Sequence, residues 1–346
     1  MSEDWNWQDE ERKIDERLAQ RKEPNGFKSF ADRIGSERKE RMELAGRRMT
    51  FGVKFLDRAL GGISARDLLL LGAQTSIGKT QLATIVAMAN AVMGKRVYYF
   101  GLEAEPHEIE RRAKYQLLAK RVYRNAVSRA AHDRMNFLDW MNGDLEDIVA
   151  PFEDEVNREL AQAFGTLFTF YRDRDFTVGD LEANARAVES QLDMLILDHI
   201  HYVDSDEPNE NKALKQITKR IRDLALALSK PVICVAHVRK GDRKAKQLVP
   251  SIEDFHGSSD IPKIATKAVM LAPAPNDDDA PTHLLNTYMA IRKCRPDGSR
   301  TRYCGVVPFN IKTNLYDEEF TVGRLKHADE EWEQVDNSKL PHWGRP

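Results

Sequence analysis

Gly72-Ala73-Gln74-Thr75-Ser76-Ile77-Gly78-Lys79-Thr80 is the stretch that decides the fold. It fits G-x-x-x-x-G-K-[ST], a loop that wraps nucleotide phosphates. Glycines keep Cβ atoms out of the way, so that backbone N–H groups can face phosphate oxygens. Lys79 is placed to reach the β/γ-phosphates, and the Thr80 hydroxyl to ligand Mg²⁺. The flanks agree. Asp67 to Leu71 reads as a buried strand, and Gln81 to Met93 as an Ala-rich helix whose N-terminus favours an anion. Residues 72–81, Gln81 included, are therefore the expected cofactor loop, with ATP and Mg²⁺ as cofactors.

Outward from this loop, apolar strands alternate with helices from about residue 49 to 325. Strands are expected at Arg96–Phe100, Leu167–Tyr171, Met194–Leu197 and Val232–Ala236, with two more at Ala268–Ala272 and Leu284–Arg292. Helices are expected at Pro106–Arg124, Val178–Gln191 and Asn211–Ser229, and a helical insertion runs to about Ala163. The helix at 211–229 carries Leu214, Ile217, Ile221, Leu224 and Leu228 on one face. Near-continuous apolar strands separated by helices predict an α/β fold, a mostly parallel central sheet covered on both faces. Antiparallel strands are expected at its C-terminal edge.

Residues 1–48 are dense in both signs of charge. They read as a helical arm of two short helices around Pro24-Asn25-Gly26, with Phe27, Phe30 and Ile34 as the second stripe, suited to docking on another subunit. Residues 49–325 form the core, and 326–346 read as a loose polar tail.

The chain has 346 residues and a formal net charge of -2, so a nucleic-acid site must be a local patch. Cys234, Cys294 and Cys304 lack metal-ligand spacing and read as reduced thiols of a cytoplasmic protein. No stretch approaches about 18 apolar residues, and the N-terminus has no apolar run, so neither a membrane span nor a secretion signal is expected.

In open parallel sheets, ligands bind at the carboxyl ends of the strands. Asp198 ends one strand, where a carboxylate holds the Mg²⁺ shell. Glu103 follows another, placed to activate water as a general base. His237 ends a third, placed to sense the γ-phosphate. The following loop holds Arg239, Lys240, Arg243, Lys244 and Lys246, suited to a phosphate backbone. The loop after Asp198, with Asp204, Asp206, Glu207 and Glu210, is acidic and would repel DNA. Lys293 and Arg295 alternate on an extended chain before a turn, suited to reaching a phosphate bound by an adjacent subunit.

Together these residues resemble the RecA-like motor domain of the DnaB-like replicative hexameric helicases, in the style of phage, plasmid and mitochondrial members. The resemblance covers about 49–315. It rests on Phe51 to Ile63, the phosphate loop, Phe100-Gly101-Leu102-Glu103, Ile196 to Ile200, Pro231 to Lys240, Ser251 to Ala265 with Gly257-Ser258-Ser259, and Lys293-x-Arg295 before Gly298. It implies a RecA-like P-loop ATPase with Glu103 as catalytic base and Lys293 and Arg295 as a finger acting in trans. It also implies a hexameric ring on single-stranded DNA, working in DNA replication with a loader or other replication protein. The turn at Arg295–Gly298 is one residue longer than the common form, and Ile264 and Thr266 stand where the family carries an acidic pair. The alternative is a RecA-fold ATPase that is not a helicase: a switch, loader or assembly ATPase acting on a protein partner. A monomeric P-loop kinase is a third class, with no need of a trans finger.

Overall fold

A computed structural model describes residues 29–74, 77–125, 129–238, 247–255, 261–276 and 278–345. The chain divides into two units, residues 1–47 and 48–346. In the first, the described part is one helix, α1 (Phe30–Gly46), rather than a short stripe. Ser29 caps it by accepting from Asp32 N–H at 3.1 Å, and Glu37 pairs with Arg41 one turn on. None of its residues is buried.

The second unit is built on one sheet. In chain order its elements are α2 (Lys54–Leu60), β1 (Leu68–Ala73), α3 (Lys79–Val92), β2 (Val97–Gly101), α4 (Glu108–Arg124), α5 (Arg129–Arg134), α6 (Phe137–Met141), α7 (Glu146–Ala163) and β3 (Leu167–Tyr171). There follow α8 (Val178–Ala187), β4 (Met194–Asp198), α9 (Glu210–Leu228), β5 (Val232–His237), α10 (Ile261–Ile264), β6 (Lys267–Pro273) and β7 (Leu284–Cys294). The chain ends with β8 (Cys304–Asn310), β9 (Leu315–Tyr316), β10 (Thr321–Lys326) and β11 (Glu331–Gln334). The strand order is β11-β10-β8-β7-β6-β1-β5-β4-β2-β3, with β9 on β8. The strands from β6 to β3 in this order run parallel, and β7, β8, β10 and β11 are antiparallel.

Alternation along each strand divides the core into two layers. Leu68, Leu70, Leu195, Leu197, Val232 and Cys234 face one side, where the α9 stripe packs. Leu69, Leu71, Met194, Ile196, Ile233 and Val235 face the other, against Leu82 and Val86 of α3. Because both faces are covered, the central strands carry apolar residues at every position. A separate cluster of Tyr115, Leu118, Val122, Ile148 and Val149 holds the helical insertion together.

Two expectations are corrected. The helix after β3 ends at Ala187, with Val188 as its C-cap, short of Gln191. Residues 326–346 are not a loose tail. β11 pairs with β10, and Trp332 donates to Cys304 O at 3.3 Å while packing near Tyr288. Arg300 stacks over Trp343 at 4.6 Å, and Leu340 is buried. The polarity of this stretch comes from strands with one exposed face, while its two tryptophans and Leu340 bind it to the core. Among the described residues no helix is long and apolar enough to cross a membrane.

Candidate functional site

Register places three expected residues along one end of the sheet. Ala73 stands beside His237, and Gly101 beside Asp198. Glu103 follows two residues after Gly101. Together with Gly78, Lys79, Thr80, Gln81, Glu105, Glu108 and Arg112 they line a cleft of about 560 Å³ at the N-terminus of α3.

Two glycines of the motif do different work. Gly78 has φ +87°, the left-handed region that a Cβ disfavours, and it caps α3. Gly72 lies inside β1, not in the loop. A Cβ there would stand 2.4 Å from Met270 Sδ and 2.8 Å from Phe255 Cε1, so its glycine serves packing rather than phosphate access. Thr75 and Ser76 lie outside the described residues.

Lys79 is a buried residue, and its ammonium donates to Ala73 O at 3.0 Å and Gln74 O at 2.9 Å. Burial pulls its pKa down, against the pull of the Asp198 and Glu103 charges. Asp198 is itself buried. Tyr99 donates its hydroxyl proton to Asp198 Oδ2 at 2.7 Å, and Thr80 bonds the same carboxylate. Burial raises the Asp198 pKa, and these two bonds oppose it. Asp198 Oδ1, fully enclosed, has no hydrogen-bond partner. A buried carboxylate oxygen left without a donor, beside a threonine hydroxyl, is an oxygen set that suits a hard divalent cation such as Mg²⁺. Burial, with the Asp198 charge second, also raises the pKa of Glu103.

Four neighbours escape the sequence reading. Tyr99 stands two residues before Gly101, and alternation turns it to the same face as Asp198. His199 follows Asp198 in the motif but has no role assigned by it. Its side chain is 2% exposed, and its Nε2 lies 3.0 Å from Glu103 Oε2, at an angle outside hydrogen-bond geometry. Its ring stands edge-on to that of His237, with centroids 4.1 Å apart. Burial, followed by the charges of His237 and His201, pushes its pKa down to about 2. Arg112 donates to Gln81 Oε1 at 3.2 Å and to Glu108 Oε1 at 2.7 Å. The fourth is Asn314, whose carbonyl accepts from Gln81 Nε2 at 2.8 Å, so the Gln81 side chain is already committed.

Lys293 and Arg295 do not join this cleft within the chain. Lys293 lies beside Ala268 at the start of β6, whereas the loop end of β1, Ala73, stands beside Leu271. Lys293 donates to Pro262 O and Lys263 O, and Arg295 N–H bonds Thr266 O. They therefore sit at the end of the sheet opposite the phosphate loop. The basic residues Arg239, Lys240, Arg243, Lys244 and Lys246 lie outside the described residues, as do Gly257-Ser258-Ser259. In the acidic loop, Asp204 is structural: it accepts from Phe176 N–H at 2.7 Å and pairs with Arg172 at 3.0 Å.

Comparison with known proteins agrees with this geometry. The chain is 23% identical over 259 residues to the replicative DNA helicase DnaC of Bacillus subtilis (strain 168), covering 70% of this chain and 52% of that protein. It is 25% identical over 217 residues to a probable plasmid replicative DNA helicase of Chlamydia psittaci, covering 60% and 43%. The chain thus spans about half the length of the curated relatives it matches. Among solved structures, one described as an ATPase domain superposes with a TM-score of 0.64 at 18% identity, covering 84% of this chain and 99% of that one. A DnaB-like replicative helicase studied with primase gives a TM-score of 0.57 at 16% identity, covering 95% and 72%. These likenesses show the fold, a mostly parallel RecA-like sheet. The family model described as DnaB-like helicase C terminal domain matches residues 49–302, and the chain belongs to that family.

Proposed function

We propose that this chain is an ATP-hydrolysing motor that assembles into a ring and moves on single-stranded DNA, unwinding duplex during replication. Lys79 and the loop backbone from Gln74 to Gln81 would hold the phosphates of ATP, with Mg²⁺ held by Thr80 and Asp198. Glu103 would take a proton from the attacking water, and His237 would couple the γ-phosphate to the basic loop at 239–246. Lys293 and Arg295 would complete the site of a neighbouring copy. The observation that carries this reading is spatial. The phosphate, metal and base residues converge at one end of the sheet, and the two finger cations sit at the other. One chain cannot supply both halves to one nucleotide, and a ring of copies can. Residues 1–48 would be the arm that docks on the next subunit. A loader or a primase-like protein is the further partner this reading allows, inside the cytoplasm.

The test is ATP hydrolysis with and without single-stranded DNA, across protein concentration and salt. The expected result is stimulation that weakens with salt and depends cooperatively on protein concentration. Hydrolysis indifferent to DNA would favour an ATPase acting on a protein partner instead. Lys79→Ala should abolish hydrolysis, and full activity in that variant would overturn the whole reading.

A further inference from the structure

Beside the oxygen-rich Thr80–Asp198 pair lies a second donor set of different chemistry. Glu103, His199 and His237 each offer one ligand atom, and the three atoms lie within 4.8 Å of one another. His199 Nε2 and His237 Nε2 stand 3.0 and 3.9 Å from Glu103 Oε2. In a tetrahedral zinc site with bonds near 2.1 Å, ligand atoms are about 3.4 Å apart. Both histidine–carboxylate spacings are therefore within a small movement of Glu103, whose side chain is half exposed. The His199 ring is held by burial and by the His237 and Tyr202 rings packed against it. Its enclosed Nε2 is aimed into the cluster without a hydrogen-bond partner.

We infer that Glu103, His199 and His237 form a site for a first-row transition cation of the zinc type, distinct from the Mg²⁺ position, and that its occupancy inhibits the motor. Two imidazoles and one carboxylate suit Zn²⁺, Co²⁺ or Ni²⁺, whereas Mg²⁺ takes oxygen donors. Coordination through Nε2 places the His199 ring proton on Nδ1. That gives up the long 3.3 Å contact in which Nδ1 accepts from His201 N–H, a small loss beside a metal–imidazole bond. The site leaves a fourth position open toward the cleft, so solvent provides the entry path. The inhibition rests on the reading of Glu103 as the general base: a carboxylate bound to a cation is no longer available to take a proton from water. The binding itself does not depend on that reading.

The test is a titration of the nucleotide-free full chain with Co²⁺ in excess Mg²⁺, followed by visible absorption. One equivalent should bind with the bands of a nitrogen- and oxygen-ligated site. Loss of an outer partner weakens metal sites about 10–100-fold, so removing a direct ligand should cost about 100-fold or more. That loss is expected in His199→Ala, in His237→Ala and in the near-isosteric Glu103→Gln, and not in the exposed His342→Ala. Equal Co²⁺ binding by wild type and all three site variants would overturn the site. Micromolar Zn²⁺ should also stop wild-type ATP hydrolysis without preventing ATP binding, reversed by a zinc-selective chelator. Binding lost in the variants while hydrolysis is insensitive to Zn²⁺ would uphold the site and overturn both the inhibition and the role of Glu103.

Discussion

At the scale of single residues, the site concentrates charge where water is scarce. Asp198 is buried with one oxygen bonded by Tyr99 and the other enclosed without a donor. Tyr99→Phe removes a hydrogen bond to a charged group, a loss of about 1.5 kcal/mol, roughly tenfold in an equilibrium constant. The Mg²⁺ concentration for half-maximal hydrolysis should rise by about that factor, and an unchanged Mg²⁺ dependence would show that Tyr99 does not tune the carboxylate. Glu103 adds a pH dependence. Its pKa is raised by burial and by the Asp198 charge, and a general base works only when deprotonated. Acidification should therefore reduce kcat at a higher pH than an ordinary carboxylate would, and a kcat profile flat through that region would argue against Glu103 as base. Lys79, Asp198, Glu103 and His237 were legible because each carries chemistry at or beside the end of an apolar strand or at the start of a helix. Tyr99 and Arg112 were not. Tyr99 sits within the apolar run of β2, and Arg112 on a long charged helix. What makes them part of the site is a contact across the sheet or between helices.

At the scale of elements, apolar continuity made the central strands readable, alanine content made α3 readable, and a one-sided stripe did so for α9. The C-terminal strands failed that reading because they expose one face, so Thr321–Lys326 and Glu331–Gln334 look polar until Trp332 is seen on the core. The far end of the sheet holds a second feature invisible in sequence. Lys267, buried on β6, donates to Asp67 Oδ2 at 2.8 Å and to Gly62 O at 2.7 Å, and Thr266 donates to Asp67 Oδ1 at 2.8 Å. This network ties the start of β6 to the chain entering β1. Asp67→Ala leaves an enclosed ammonium unpaired and should destabilise the domain by about 3–5 kcal/mol, read from the denaturant midpoint. Asp67→Ala combined with Lys267→Met should recover most of that loss. A single-variant change below about 1 kcal/mol would mean that solvent reaches the lysine.

At the scale of the whole molecule, the sheet separates two groups of residues that the proposed mechanism would join. Lys79, Thr80, Glu103 and Asp198 lie at the carboxyl ends of the parallel strands, and Lys293 and Arg295 lie where β6 begins. Sequence spacing alone made the pair legible as cations on an extended chain. The sheet adds that they stand at the end opposite their own cleft, as a site shared between copies would require. The most direct test mixes two inactive proteins, Arg295→Ala and Glu103→Ala, and measures ATP hydrolysis. Each alone should be nearly inactive while binding ATP, and the mixture should recover activity where an intact cleft meets an intact finger. A mixture no more active than its separate components, under conditions where the two proteins demonstrably assemble together, would contradict the shared site.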